Sequence, residues 1–338
     1  MTKNRIVYFD VLNIFAAISV ILLHCNGIAH TYSNTTAWKQ ALGMEVLFYW
    51  AVPIFFMLTG ATLMGYREKY STKQFFKKRL LRTALPFIIW SVINACIKRI
   101  NPFEIGAKEF ISRIFLSQIE NVYWFFIPLF SIYLAMPILS LLKDNKKILW
   151  YMAGGAFFLT SLFPPLFDLI GVKWNFSLSM LTMGGYLLFP VLGYLLSTTE
   201  FSRKQRWGIY ILGVFGALLR YGVTFYLSMR DGIINKTFFS YTGFYSVFLA
   251  CAVFVFFKHS GICKRIAENQ TVASLFSKLA GCSFGVYLIH MIILRLLGKI
   301  IPQNCWEWRL LVPFLIYIIC IVIVLAVKKI PIVKWIFP

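Results

Sequence analysis

The chain has 338 residues, of which 59% are hydrophobic and 14% charged, and its mean hydropathy is +0.74. A soluble domain of this size does not need so much apolar surface, so the composition excludes soluble classes and predicts a multi-span membrane protein. The formal net charge is +22. Because lysines and arginines stand mostly between apolar segments, we interpret them as a topology signal and as contacts with anionic lipid. We expect no nucleic-acid partner.

Apolar segments of about 20 residues recur along the chain and predict an all-α, polytopic membrane bundle of about ten transmembrane helices. In chain order the predicted spans are 7–29, 44–66, 82–99, 122–142, 148–166, 179–198, 207–228, 238–258, 276–297 and 309–328. The outer connection 98–121 is long enough for a short interfacial helix. We find no internal repeat in the sequence and expect residues 1–338 to form a single domain.

The basic residues predict the orientation of the bundle. With a cytoplasmic N-terminus, the inner connections hold about twice as many lysines and arginines as the outer ones, which favours cytoplasmic N- and C-termini. The seven cysteines show neither a CxxC pair nor a metal-ligand spacing, so we expect no metal site. The pattern as a whole predicts a multi-pass protein of the cell membrane, of the bacterial cytoplasmic type.

The first span, "YFDVLNIFAAISVILLHCNG", contains Asp10, Asn13 and His24. At about 100° per residue these three side chains fall on one stripe of a helix, with His24 roughly 16–21 Å along the axis from the other two. A single stripe predicts that all three face the protein interior. A neutral imidazole can accept a proton from an alcohol, although a buried histidine can also simply bond across helices. The same two interpretations apply to His290 in "SFGVYLIHMIIL", and Arg220 is a third ionisable group within a span.

A basic cluster, "KKRLLR", stands where the third span enters the membrane. Arg79 and Arg82 are three residues apart and are expected to share a helix face, preceded by Lys77 and Lys78. Guanidinium groups match phosphate with paired hydrogen bonds, so the cluster is either a phosphate clamp or a positive-inside anchor.

Taken together, the motifs resemble the acyltransferase-3 family of integral-membrane enzymes. The resemblance rests on Asp10 with His24 in span one, on "PIFFMLTG", on the Arg-x-x-Arg pair before an aromatic-proline span, on "YWFF", and on "FGVYLIH". It implies an O-acyltransferase, in its simplest form an O-acetyltransferase, that uses cytoplasmic acyl-CoA. The implied acceptor is a hydroxyl of a cell-surface or lipid-linked polysaccharide.

The resemblance also implies roles for individual residues. His24 matches the family's essential histidine, acting as a base or as an acyl carrier, and Asp10 matches its acidic residue in the first span. Arg79 and Arg82, helped by Lys77 and Lys78, are implied to bind coenzyme A. Carbohydrate contacts are expected from the outer residues Trp124, Tyr123, Glu120 and His290.

One position departs from the family pattern, because Asn13 stands where the family usually has arginine. Three explanations are open. A subgroup of the family manages without this charge, or Arg220 or the basic segment from Arg67 to Arg82 replaces it, or the protein uses its acyl donor differently. Two other functions remain open. A transporter or flippase for a lipid-linked sugar would show two similar halves, which we do not find in the sequence. A non-catalytic sensor domain is the second, with Asn13 as its support.

Overall fold

The computed structural model describes residues 6–176 and 184–331, together with residues 333, 336 and 337. Within these ranges every regular element is a helix, which confirms the all-α prediction. The first residues of the predicted span 179–198 lie outside the described residues. The α-helices are α1 Val7–Cys25, α2 Thr36–Phe48, α3 Ala51–Leu63, α4 Thr72–Arg79, α5 Leu85–Ile97, α6 Pro102–Ile105, α7 Ala107–Phe115, α8 Phe126–Leu139, α9 Lys146–Ala156, α10 Phe163–Leu169, α11 Leu188–Thr198, α12 Arg203–Asp231, α13 Phe244–His259, α14 Gly261–Glu268, α15 Gln270–Ala280, α16 Ser283–Leu297, α17 Trp306–Leu310 and α18 Val312–Lys328.

Six described helical segments are long and apolar enough to cross a membrane, and the number rises to eight if two bent helix pairs each form one span. The pairs are α13 with α14, bent by 42°, and α15 with α16, bent by 53°. Two further apolar helices, Gly185–Thr198 and Val312–Lys328, are shorter. The protein is therefore a multi-pass membrane protein, while the count of about ten spans and the cytoplasmic position of both ends stay predictions.

Local sequence explains several helix boundaries. Ser202 begins α12 with a capping box, in which its hydroxyl accepts from the backbone of Gln205 and the Gln205 side chain accepts from the backbone of Ser202. The same helix ends at Gly232, whose φ of 68° is a left-handed conformation that glycine adopts without strain. In the connection 98–121, the expected short helix is present as α7.

Helix α1 lies at the centre of the bundle. It contacts α2 and α3 on one side and the elements from α13 to α18 on the other. Most of its residues are buried, including Asp10. Protein rather than lipid therefore surrounds the polar stripe of the first span.

Helices α3 and α11 cross at two glycines and approach very closely. A Cβ atom added at Gly60 would lie 1.8 Å from the carbonyl oxygen of Pro190, and one added at Gly193 would lie 2.0 Å from that of Met57. Small residues at crossing points are the usual means by which membrane helices pack, because no hydrophobic effect drives association within lipid. This crossing fixes the position of α3, which forms one wall of the cavity that contains Arg79, described below.

We expect Gly193→Ala to destabilise the folded protein by at least about 2 kcal/mol, because the methyl group forces the two backbones apart. The measurement is the thermal unfolding midpoint and the monodisperse yield of the purified protein in detergent. Gly208→Ala is the matched control, since nothing lies within 4 Å of a Cβ atom added there. Equal stability of the two variants would contradict the close crossing.

Candidate active site

A cavity of about 580 Å³ opens beside the N-terminal end of α1, and we call it the Arg79 cavity. Asp10 and Asn13 line it from α1, and Arg79 lines it from α4. Both α1 residues thus face the protein interior, as the shared stripe predicts. The other polar side chains of its wall are Thr59, Thr62, Lys69, Thr83, Tyr133, Ser283 and Tyr287. A mixed polar and apolar wall of this kind suits a long organic ligand with few charges.

Aromatic rings hold the Arg79 side chain in place. Its guanidinium carbon lies 5.7 Å from the centroid of the Phe75 ring and 5.5 Å from that of Tyr133. These distances are typical of cation–π contacts. Within the described part of the chain, Nε of Arg79 is buried and has no hydrogen-bond partner. A guanidinium held by ring faces keeps donors available for a phosphate or carboxylate.

Arg82 does not share the cavity face with Arg79. The helix between them changes to π geometry over Leu80–Ala84, and Arg82 is exposed and absent from the cavity wall. Pro86 explains the change, because a proline lacks the N–H group and its ring collides with the carbonyl four residues earlier, which here belongs to Arg82. The wider π turns rotate Arg82 away from the face expected for regular α-helix. The prediction that Arg79 and Arg82 share a helix face was therefore wrong. It assumed regular α-helix and overlooked Pro86.

The two lysines of the basic cluster lie outside the cavity wall as well. Lys77 is exposed, and Nζ of Lys78 lies 3.6 Å from the centroid of the Tyr70 ring. Lys69, in the segment between α3 and α4, also lines the Arg79 cavity. Lys69 and Arg79 are thus two cations at the same cavity as Asn13.

The imidazoles of His24 and His290 form a pair at the other end of α1. Their ring centroids are 5.2 Å apart, with an angle of 36° between the ring planes. His290 is fully buried, and its Nδ1 lies 2.6 Å from the carbonyl oxygen of Tyr287. Since that carbonyl can only accept, Nδ1 carries the proton and Nε2 is left as an acceptor. Nε2 has no hydrogen-bond partner among the described residues.

His24 is half-buried and lines a second cavity of about 660 Å³, which we call the His24 cavity. Most other side chains of this wall are small or polar and come from the segment after α1, from the start of α2 and from the residues before α17. They include Thr31, Ser33, Thr35, Gln303, Asn304 and Trp308. Hydroxyl and amide groups of this kind are able to bind the hydroxyl groups of a sugar.

A narrow gap of about 10 Å³ lies between the two cavities. Phe55 and Tyr287 line both this gap and the Arg79 cavity, and His290 lines the gap only. We call the gap at Phe55 and Tyr287 the aromatic constriction. The His290 ring contacts the His24 ring, so the imidazole pair follows this constriction along α1. The Arg79 cavity lies on one side of the constriction and the pair, and the His24 cavity lies on the other. The polar stripe is thus divided, with Asp10 and Asn13 on one side of the constriction and His24 on the other.

Two residues expected to contact carbohydrate are instead bonded inside the bundle. Both carboxylate oxygens of Glu120 accept from Nη2 of Arg295, at 2.6 and 2.5 Å, and Nζ of Lys98 lies 3.3 Å away. Tyr123 is 1% exposed and donates to the carbonyl oxygen of Leu288. Neither residue lines the His24 cavity. Their polar atoms are already paired with protein, so both act as cross-links between helices.

Trp124, the third such residue, is half-buried among aromatic rings. It stacks on Tyr241, with centroids 5.5 Å apart, and lies 5.8 Å from the ring of Tyr186. It does not line the His24 cavity either. A sugar contact by Trp124 stays a prediction.

Arg220 is held by a partner that the sequence did not predict. Its Nη2 lies 3.5 Å from a carboxylate oxygen of Glu45, and both side chains are 2% exposed. Its Nε donates to the carbonyl oxygen of Phe238, and its guanidinium carbon lies 3.5 Å from the centroid of the Tyr49 ring. This guanidinium is paired with Glu45 and does not line the Arg79 cavity. It therefore does not take the place of the arginine that the family pattern has at Asn13, whereas Lys69 and Arg79 line the same cavity as Asn13.

A second polar cluster missed by the sequence analysis surrounds Arg309. Nη2 of Arg309 donates to the side-chain oxygen of Gln40, and the amide of Asn26 donates to the Arg309 backbone. Nearby, the indole of Trp308 donates to the carbonyl oxygen of Cys25. These bonds tie α17 to the end of α1, directly beside His24. The asparagine in "HCNG" was the available signal, since a fully buried amide requires partners.

Comparison with known proteins gives one informative result. No curated protein and no solved structure matches this chain significantly. The sequence profile of the family described as "Acyltransferase domain" matches residues 6–328, which is nearly the whole chain. The resemblance inferred from the motifs is thereby confirmed, and the chain belongs to this family of membrane acyltransferases.

Proposed function

We propose that this protein is a membrane O-acyltransferase that moves an acyl group, acetyl in the simplest case, from cytoplasmic acyl-CoA to a hydroxyl of a cell-surface or lipid-linked polysaccharide. Family membership supports acyl transfer in general. The observation that carries the finer proposal is the alignment of two cavities along α1, with Arg79 at one end and His24 at the other. Such an arrangement lets donor and acceptor approach from opposite sides of the membrane.

The donor binds at the Arg79 cavity. The coenzyme A phosphates lie at its mouth against Arg79 and Lys69, in the positive field of Arg82, Lys77 and Lys78. Arg79 supplies a fixed guanidinium that matches phosphate geometry. The pantetheine arm then enters the cavity, and its apolar and amide groups suit the mixed wall.

The thioester reaches the imidazole pair past Phe55 and Tyr287. From Asp10 to His24 the distance along α1 is about 21 Å at 1.5 Å per residue, a gap of the order of the pantetheine arm. Movement of the two aromatic rings opens the constriction, which is otherwise closed to water. Exclusion of water limits hydrolysis of the thioester while the acceptor is absent.

His24 acts as general base at the meeting point. It takes the proton of the acceptor hydroxyl as the oxygen attacks the thioester carbonyl, the carbon–sulfur bond breaks, and the new ester bond forms. The proton passes from His24 to the departing thiolate, which leaves as coenzyme A thiol. His290 is a positioning residue, because its free Nε2 can accept a hydrogen bond from the His24 ring and orient it.

We expect Arg79→Ala to weaken acyl-CoA binding by about tenfold to a hundredfold, since a charged hydrogen bond contributes roughly 1.5–3 kcal/mol. Arg82→Ala should change affinity by no more than about threefold, because an exposed charge acts only through a screened field. Titration calorimetry with acetyl-CoA on purified protein measures both. Lys264→Ala, an exposed charge on α14, is the control. An unchanged affinity in Arg79→Ala would remove the donor site from this cavity.

A second expectation concerns Asn13, because it shares its cavity with Arg79. If Arg79 and Lys69 supply the charge that relatives have at this position, Asn13→Arg should leave acetyl-CoA affinity within about threefold of wild type. In an Arg79→Ala background, the same change should restore part of the lost affinity. A large gain in the wild-type background would instead mean that Asn13 is a handicap.

His24→Ala should lower acyl transfer by at least about a hundredfold, the usual contribution of a general base. Mass spectrometry of the surface glycan from cells with wild-type protein, the variant or no protein shows whether the acyl mass increment is present. His259→Ala is the matched control, since this histidine ends α13 and lines neither cavity. If His24→Ala retains the acyl mass increment, catalysis by His24 is contradicted and a sensor is favoured. If the wild-type protein binds acyl-CoA but never consumes it, a transporter is favoured.

A further inference from the structure

A lateral groove of about 720 Å³ lies between α2, α12 and α17. Its walls are mainly apolar, with Leu47, Leu218 and Leu310 among the side chains that face outward. Leu218 is 68% exposed in a protein whose outer surface meets hydrocarbon. A groove with such walls at a membrane helix surface suits a hydrocarbon chain.

The lateral groove and the His24 cavity are neighbours, because both border α2 and α17. On α2, Ala37 lines the cavity and Gln40 lines the groove, about one helical turn further along. On α17, Trp308 lines the cavity and the next residue, Arg309, lines the groove. A single amphipathic molecule can therefore occupy the groove with its apolar part and the cavity with its polar part.

Arg309 lies between groove and cavity, and no carboxylate among the described residues forms an ion pair with it. It is 5% exposed, and its guanidinium donates only to neutral acceptors: the backbone oxygen of Asn304 at 2.9 Å and the side chain of Gln40 at 2.8 Å. By contrast, Arg220 and Arg295 each have a buried glutamate. A buried cation is costly without an anion, so a ligand that brings a phosphate to this point would stabilise it.

From these three features we propose that the acceptor is a glycan carried on a lipid phosphate. Its hydrocarbon chain lies in the lateral groove, its phosphate binds Arg309, and its sugar extends into the His24 cavity among Thr31, Ser33, Gln303 and Asn304. The inference rests on the proposed function and narrows it, since it selects the lipid-linked form over free polysaccharide. Lateral access also lets the acceptor arrive from the membrane without leaving the bilayer.

The test uses full-length protein in phosphatidylcholine nanodiscs and a photoreactive farnesyl phosphate that carries a diazirine. After irradiation, peptide mass spectrometry locates the label. We expect it within 40–47, 217–221 or 306–310. A farnesol probe without phosphate should label these residues at least about tenfold less, because it cannot form the charged hydrogen bonds to Arg309. Millimolar inorganic phosphate should not compete, since it lacks the chain.

Two variants and one control sharpen the result. Arg309→Gln should lower farnesyl phosphate labelling by about tenfold, and Ala217→Trp should do the same by filling the groove while leaving Arg309 intact. Val214→Trp is the matched control, because Val214 is 59% exposed on the same helix and does not line the groove. This variant should label as wild type does.

Equal labelling by farnesol and farnesyl phosphate, labelling elsewhere, or no effect of Arg309→Gln and Ala217→Trp would overturn the inference. Competition by inorganic phosphate would point to an anion site without a lipid and would overturn it too. The measurement of acetyl-CoA binding distinguishes failure of this inference from failure of the proposed function. If acetyl-CoA binding depends on Arg79 while the groove result fails, only this inference falls. If donor binding itself fails, the proposed function falls.

Discussion

One constraint governs this structure: a polar group at membrane depth must meet a protein partner or a water-filled cavity, because hydrocarbon provides neither. The buried glutamates satisfy it by pairing. Glu45 holds Arg220, so α2 is tied to α12, and Glu120 holds Arg295, so the segment before α8 is tied to α16. Removal of one partner from such a pair leaves an uncompensated charge, which is why these pairs define helix positions even when their net contribution to stability is small.

The polar residues of α1 satisfy the same constraint through cavities, and this difference separates a candidate active site from a structural pair. Asp10 and Asn13 meet the Arg79 cavity, and His24 meets a second cavity at the opposite end. Between them the wall narrows at Phe55 and Tyr287. This division suits the proposed function, in which a charged donor and a hydroxylated acceptor meet while water is kept from the thioester.

The close crossing of α3 and α11 makes the cavities possible. Gly60 and Gly193 let the two backbones touch, so α3 is held by main-chain contact and its other face is free to line the Arg79 cavity through Thr59 and Thr62. The imidazole pair depends on packing in a similar way, since His290 is oriented by a backbone oxygen of its own helix. Chemistry and packing thus use different faces of the same helices.

Hydropathy and short-range periodicity determined the membrane class, the all-helical fold and the interior position of Asp10 and Asn13, because each depends on residues within a few turns. The exposure of Arg82 was also readable locally from Pro86, although the α-helical spacing argument missed it. Only the tertiary structure decided the partners of Arg220 and Arg309, which lie 175 and 269 residues away along the chain. It also moved Glu120 and Tyr123 from the expected sugar site into cross-links. Contacts of such separation arise from the packing of whole helices, and no local pattern encodes them.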